Sequence, residues 1–152
     1  MFFRKLSIIF SISLLIFSSN IVNTFALSSA KPDELTKEIA KDLGIVDNEM
    51  LLLIKTISSK NLNKNELLNR VKYVNTLITA LSKKTNFLSN DQKDLNLAIN
   101  AILDFYQLSI LRIESYLNNF SSEDLLDSIA YFSIGYYALD NIRDTIILEA
   151  VK

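Results

Sequence analysis

Cysteine, histidine and tryptophan are absent from this 152-residue chain, which has only two glycines and one proline. An average soluble chain of this length holds about 11 Gly and about 8 Pro. Without Cys there is no disulfide, no thiolate metal site, no Cys nucleophile and no lipid-modified N-terminal Cys. Without His, the commonest general base and the commonest metal ligand are both missing. The scarcity of Gly and Pro excludes turn-rich sandwiches and barrels, Gly-rich phosphate loops and collagenous repeats. Neither charge sign dominates, with 16 Lys+Arg against 17 Asp+Glu. What remains is the composition of one helical domain with little equipment for chemistry, and no cofactor or metal is expected.

The first thirty residues read as an address. Met1-Phe2-Phe3-Arg4-Lys5 is a short basic start, and residues 6–17 (LSIIFSISLLIF) are an apolar run. Thr24-Phe25-Ala26 places small residues where a signal peptidase reads them, and Ser28-Ser29-Ala30 offers a second site. This layout predicts a secretory signal peptide over residues 1–26, with cleavage as late as residue 30 as the alternative. Export by the Sec route follows, to an extracellular, periplasmic or lumenal space. If the leader is retained, its uncharged stretch is long enough to serve as a membrane anchor. Removing residues 1–26 leaves 14 basic and 17 acidic residues, a net charge of −3. An exported chain without Cys must rely on its hydrophobic core, and a single domain over residues 31–152 is long enough to build one.

Helical punctuation is frequent in that domain. Pro32-Asp33 opens a segment with Leu35, Ile39 and Leu43 on one face, and Gly44 is read as its C-terminal cap. Asp47 is read as the N-cap of a second segment carrying Met50, Leu53, Ile54 and Ile57. The two segments together form a first helix that is either broken or split. Asn63 with Glu66 has capping-box spacing and opens a helix striped by Leu67, Val71, Val74, Ile78 and Leu81. Residues 83–90 read as a loop. Ser89 with Gln92 repeats the capping-box spacing before a helix over residues 91–119, striped by Leu95, Ile99, Ile102, Tyr106, Ile110, Ile113 and Leu117. Ala98, Ala101, Phe105 and Leu108 widen that stripe. Ser121 with Asp124 starts a last helix over residues 122–150, striped by Leu125, Ile129, Phe132, Tyr136, Leu139, Ile142 and Ile146. No alternation of period two persists, so no strand is predicted. Short connections favour consecutive antiparallel packing, and the fold class expected is all-α, a four-helix up-and-down bundle.

Two features point to binding. Residues 55–84 hold seven positive charges against Glu66 alone, while residues 101–152 hold eight acidic and three basic residues. Arg70, Lys72, Lys83 and Lys84 are therefore candidate docking cations for an acidic partner or an anionic membrane surface; the alternative is a solvated face paired with acidic neighbours. Only Tyr73 is interleaved among these cations, and nucleic acid is not expected as a partner. The segment SIAYFSIGYYAL over residues 128–139 is apolar all round its helix. Tyr131, Ile134, Tyr137 and Ala138 are the candidate interface, toward another protein or a second copy of this chain, unless the N-terminal segments bury them. The carboxylate pairs Asp124/Asp127 and Asp140/Asp144 have spacing that lets each converge, but Arg143 between the latter two reads as a surface ion-pair partner. No Ser stands in a Gly-flanked elbow, and no catalytic residue is assigned.

Leu53-Ile54 near the end of the first segment, Leu88-Ser89-Asn90-Asp91-Gln92-Lys93 opening the third helix, and Ala138-Leu139-Asp140 in the last one carry a resemblance. Over about residues 50–140 the order of parts is similar to the Q-type extrinsic subunit of photosystem II. That family is a lumenal four-helix bundle that stabilises the oxygen-evolving complex without performing chemistry. This chain departs from it in having no Trp, no Gly-Pro pair between the first two helices and no lipidation Cys, and in its longer last two helices. The resemblance implies an accessory role. The sequence as a whole predicts an exported, non-enzymatic helical bundle acting by protein–protein interaction, as an accessory or structural subunit at an envelope or lumenal membrane surface. The alternative is a membrane-active bundle, a small toxin or lipid-surface protein that opens its apolar helices.

Overall fold

The structure is a computed structural model that describes residues 34–59 and 63–150, with side chains to residue 143. The expected leader, its cleavage sites, the Pro32-Asp33 start and the domain boundary at residue 31 lie outside the described residues. Four α-helices fill the rest: α1 (Glu34–Ile57), α2 (Lys64–Thr85), α3 (Lys93–Asn119) and α4 (Ser122–Ala150), with a 3-10 turn at Asn90–Gln92. No strand occurs among the described residues. Each helix packs on its sequence neighbours and α4 closes back on α1, so α2 and α4 lie across the diagonal; α3 and α4 form the most extensive pair. The protein is an all-α, up-and-down four-helix bundle.

The first helix is not broken. Ile39, Leu43, Val46, Met50, Leu53 and Ile57 are all buried and follow one another in alternating steps of four and three. The stripe passes Gly44 and Asp47 without a change of phase, so packing along the whole seam holds 24 residues in one helix. Gly44 is therefore not a cap; a Cβ there would meet nothing within 4 Å. Nor does Asp47 begin a helix. It lies in the middle of α1 and is buried.

The next seam is legible residue by residue. Leu67, Val71, Val74, Ile78 and Leu81 are buried on α2, and the Asn63 carboxamide oxygen accepts the Glu66 N–H at 3.3 Å. The helix continues through Thr85 into the segment read as loop, because Thr85 itself is buried and its hydroxyl donates to Ser82 O at 2.8 Å. At the start of α3 the Ser89 N–H and hydroxyl both donate to Gln92 Oε1, at 3.3 and 2.9 Å. The Gln92 amide donates in turn to Thr36 Oγ1 at 2.7 Å, tying this turn to α1.

At the opposite end α3 stops at Phe120, which takes the left-handed conformation (φ 54°) usually left to Gly. Its N–H donates to Tyr116 O at 2.7 Å, and its exposed ring stands edge-on to Tyr116 at 5.8 Å. The expected Ser121/Asp124 cap does not form in that way. The Asp124 carboxylate turns toward α3, while the Ser121 N–H donates to Asn119 Oδ1 at 2.8 Å.

Candidate protein-binding face

Side-chain size decides how α4 meets α3. Asp124, Ser128, Phe132, Gly135 and Leu139 face inward and are buried. Two of them, Ser128 and Gly135, are small enough to let the helices approach closely. Ser109 of α3, also buried, donates its hydroxyl to Ser128 O at 2.8 Å. At Gly135 the Tyr106 ring comes within 2.5 Å of where a Cβ would be. That ring stacks on Phe132 with centroids 5.9 Å apart, and Phe132 meets Tyr136 at 5.8 Å. Tyr136 was expected in the core stripe but sits at the boundary, with 36% of its surface exposed.

The outer face repeats the inner one two residues further along. Leu126, Ala130, Ile134, Tyr137 and Asn141 are all exposed and keep the same steps of four, four, three and four. A shift of two residues is a rotation of about 200° on an α-helix. This second, outward stripe is why the segment reads as apolar all round. On the adjoining α3, Leu97, Leu108 and Leu111 are exposed in the same way; Leu108, with Ala101, lies outside the core stripe it was expected to widen.

The four expected interface residues divide. Ile134 and Tyr137 stand on the outer stripe, 38% and 59% exposed. Ala138 is half-buried against the core, and Tyr131 is half-buried on the side near Arg112. Leu126 and Ala130 take their place. Their signal was in the sequence, at steps of four before Ile134, but it is visible only once Phe132 and Leu139 fix which side is inner.

The docking cations divide as well. Lys84 lies 2.5 Å from Asp42 and 3.4 Å from Glu38 of α1; the hydrogen bond to Asp42 is the main reason its ammonium is held above the usual lysine range. Arg70 stands 3.9 Å from Glu49. These two therefore brace α2 against α1. Lys72 and Lys83 are exposed and form no ion pair among the described residues.

The carboxylate pair Asp124/Asp127 ties the start of α4 to α3. Asp124 accepts from Asn119 Nδ2 at 3.0 Å, Ser115 Oγ at 2.8 Å and Arg112 Nη1 at 3.1 Å. The Asn119 and Ser115 hydrogen bonds, with that of Arg112, hold its pKa below the usual carboxylate range. Arg112 also stands 3.6 Å from Asp127, and its guanidinium pKa is raised, chiefly by the bond to Asp124. Asp140 is exposed, and the side chain of Asp144 lies outside the described residues. Arg143 reaches Asp47 of α1 at 3.5 Å, and its expected pairing with Asp144 lies outside the described side chains. The same Asp47 carboxylate accepts the Tyr106 hydroxyl at 2.5 Å. Burial first, and this hydrogen bond second, push the Tyr106 pKa above the usual tyrosine range. Sequence reading missed this group, a buried Tyr106–Asp47 pair with a half-exposed Arg143, because each member has an ordinary role on its own helix. It joins α1, α3 and α4, and no buried side-chain nitrogen or oxygen among the described residues lacks a partner.

Among the described residues no three His, Cys, Asp or Glu side chains converge to hold a metal ion, and no helix is long and apolar enough to cross a membrane. No protein-family model matches the chain, nor does any curated protein or solved structure.

Proposed function

We propose that this protein works by binding another protein through the outer face of α4, without catalysis of its own. The observation that carries this reading is the outward stripe Leu126–Ala130–Ile134–Tyr137, which duplicates the spacing of the packed inner stripe and is left in solvent. Apolar residues in register on one exposed helix face fit a partner better than they fit water. Of the carboxylates spaced for acid–base chemistry, Asp124 is engaged by Arg112, Ser115 and Asn119 and Asp127 by Arg112, while Asp140 stands exposed. Export belongs to the same proposal and rests on the N-terminal sequence, and an accessory role at an envelope or lumenal membrane surface rests on the resemblance over about residues 50–140.

Capture from the native host tests it. The double variant Leu126→Gln/Ile134→Gln keeps good helix formers at exposed positions, so circular dichroism and thermal unfolding should match the wild type. The co-purifying partner should be lost. A folded double variant that retains the same partner ends the assignment to this face.

A further inference from the structure

The chemistry of the partner follows from the charge that frames the stripe. Between Leu97 and Asn141 the α3–α4 hairpin carries six acidic residues (Asp104, Glu114, Glu123, Asp124, Asp127 and Asp140) and one basic residue, Arg112. Arg112 is already engaged by Asp124 and Asp127. Asp104 and Asp140 are exposed and form no ion pair among the described residues. The apolar stripe is thus bordered by uncompensated negative charge.

We infer that the occupant of this face is an amphipathic helix of another protein with Lys or Arg flanking its apolar stripe, an inference that rests on reading α4 as a binding face. Three occupants compete, and charge separates them. An anionic lipid surface is repelled by the acidic border. A second copy meeting face to face is opposed in the same way. Antiparallel pairing of two α4 helices about residues 133 and 134 superposes the stripes, but it sets Asp140 of one copy opposite Asp127 of the other, whose charge is only partly offset because Arg112 is shared with Asp124. The remaining self-contact uses α2, the basic helix of this chain. Its outward stripe Asn69, Lys72, Thr76, Thr79 and Lys83 is polar, and beside it only Tyr73 and Ala80 are exposed and apolar, so it has the charge but too little apolar surface to cover Leu126, Ile134 and Tyr137. A helix that supplies both is the remaining match. From Leu126 to Tyr137 is about 16 Å, or three turns, which sets the length of partner helix the face accommodates.

The probes are two synthetic helical peptides with the same leucine stripe, one flanked by lysines and one by glutamates. Each is titrated with the whole protein by fluorescence anisotropy. The lysine peptide should bind at least about tenfold more tightly at low salt, and high salt should shrink the difference. Asp104→Lys/Asp140→Lys should remove the preference, and Leu126→Gln/Ile134→Gln should remove binding. Equal affinity for the two peptides, preference for the glutamate peptide, or no binding of either overturns the inference. So does binding that both double variants leave unchanged. Sedimentation of the protein alone separates this from the broader reading. If it self-associates and Leu126→Gln/Ile134→Gln makes it monomeric, the partner is a second copy; the basic-helix inference falls while α4 remains a binding face. Loss of the peptide preference together with unaltered capture from the host by the glutamine variant removes both.

Discussion

A Cβ on Gly135 would stand 2.5 Å from Cε1 and 2.7 Å from Cδ1 of Tyr106, so the tyrosine ring of α3 occupies the place of a side chain on α4. The Tyr106 hydroxyl then reaches Asp47 of α1. One missing side chain thus lets a single ring of α3 touch both α4 and α1. Gly135→Ala should lower stability by about 1–3 kcal/mol, the usual range for overpacking, because the ring is pinned at its far end by Asp47 and cannot simply swing away. Gly44→Ala should act in the opposite direction. Nothing lies within 4 Å of that site, and Ala in a helix interior is favoured over Gly by about 0.5–1 kcal/mol. Urea unfolding of the two variants gives opposite shifts if this packing is right, and shifts of the same sign if it is not.

Tyr106→Phe should keep the ring stack on Phe132 and remove the hydroxyl that Asp47 accepts. Arg143 remains 3.5 Å away, so the carboxylate is weakened in its buried site but not isolated. The expected loss is about 1–3 kcal/mol, the range for a buried polar group deprived of a partner. The variant should also change alkaline behaviour. The folded pKa of Tyr106 is raised, so above about pH 10 the unfolded chain gives up this proton while the folded one keeps it. The stabilisation is complete below that pH and declines as pH rises further. Wild-type stability should fall more steeply above pH 10 than that of the Phe variant; parallel curves would show that the phenol is not held in this way.

At the acid end the sign reverses. The Asp124 pKa is depressed by Asn119, Ser115 and Arg112, so its contribution is present above the ordinary aspartate range and is lost as pH falls through the lowered value. Asp124→Asn should be less stable than the wild type at neutral pH. The two should converge on acidification, followed by thermal unfolding across a pH series. A constant difference over the whole series would mean that packing, not the carboxylate charge, joins the start of α4 to α3.

Most of the bundle was legible because its seams are regular. Every position of the α2 stripe, and every position of the α3 stripe from Leu95 to Leu117, is buried as its spacing requires. Errors came where local chemistry and tertiary packing disagree. Gly44 and Asp47 have the local preferences of a cap and a helix start, yet the seam from Ile39 to Ile57 runs straight through both. Ser121 and Asp124 have the spacing of a cap, but Arg112, Ser115 and Asn119 offer the carboxylate more than a helix end can. On α4 the failure had another cause. Inner and outer stripes carry similar apolar residues, so spacing alone cannot say which is packed. The small residues Ser128 and Gly135 were the available clue, because they mark where another backbone comes close.

That ambiguity yields a direct test of which side of α4 is the core. Leu139 is 4% exposed on the inner stripe, and Leu126 is 54% exposed on the outer one. Both are leucines in the same helix, so propensity and residue size cancel in the comparison. Leu139→Gln places a polar amide among apolar neighbours and removes buried surface, and it should cost about 2–5 kcal/mol. Leu126→Gln should stay within about 0.5 kcal/mol of the wild type. Paired thermal melts with circular dichroism read the contrast. Comparable losses at both positions would place the outer stripe inside a packed interface of the isolated protein, and Leu126 would then report on folding rather than on binding.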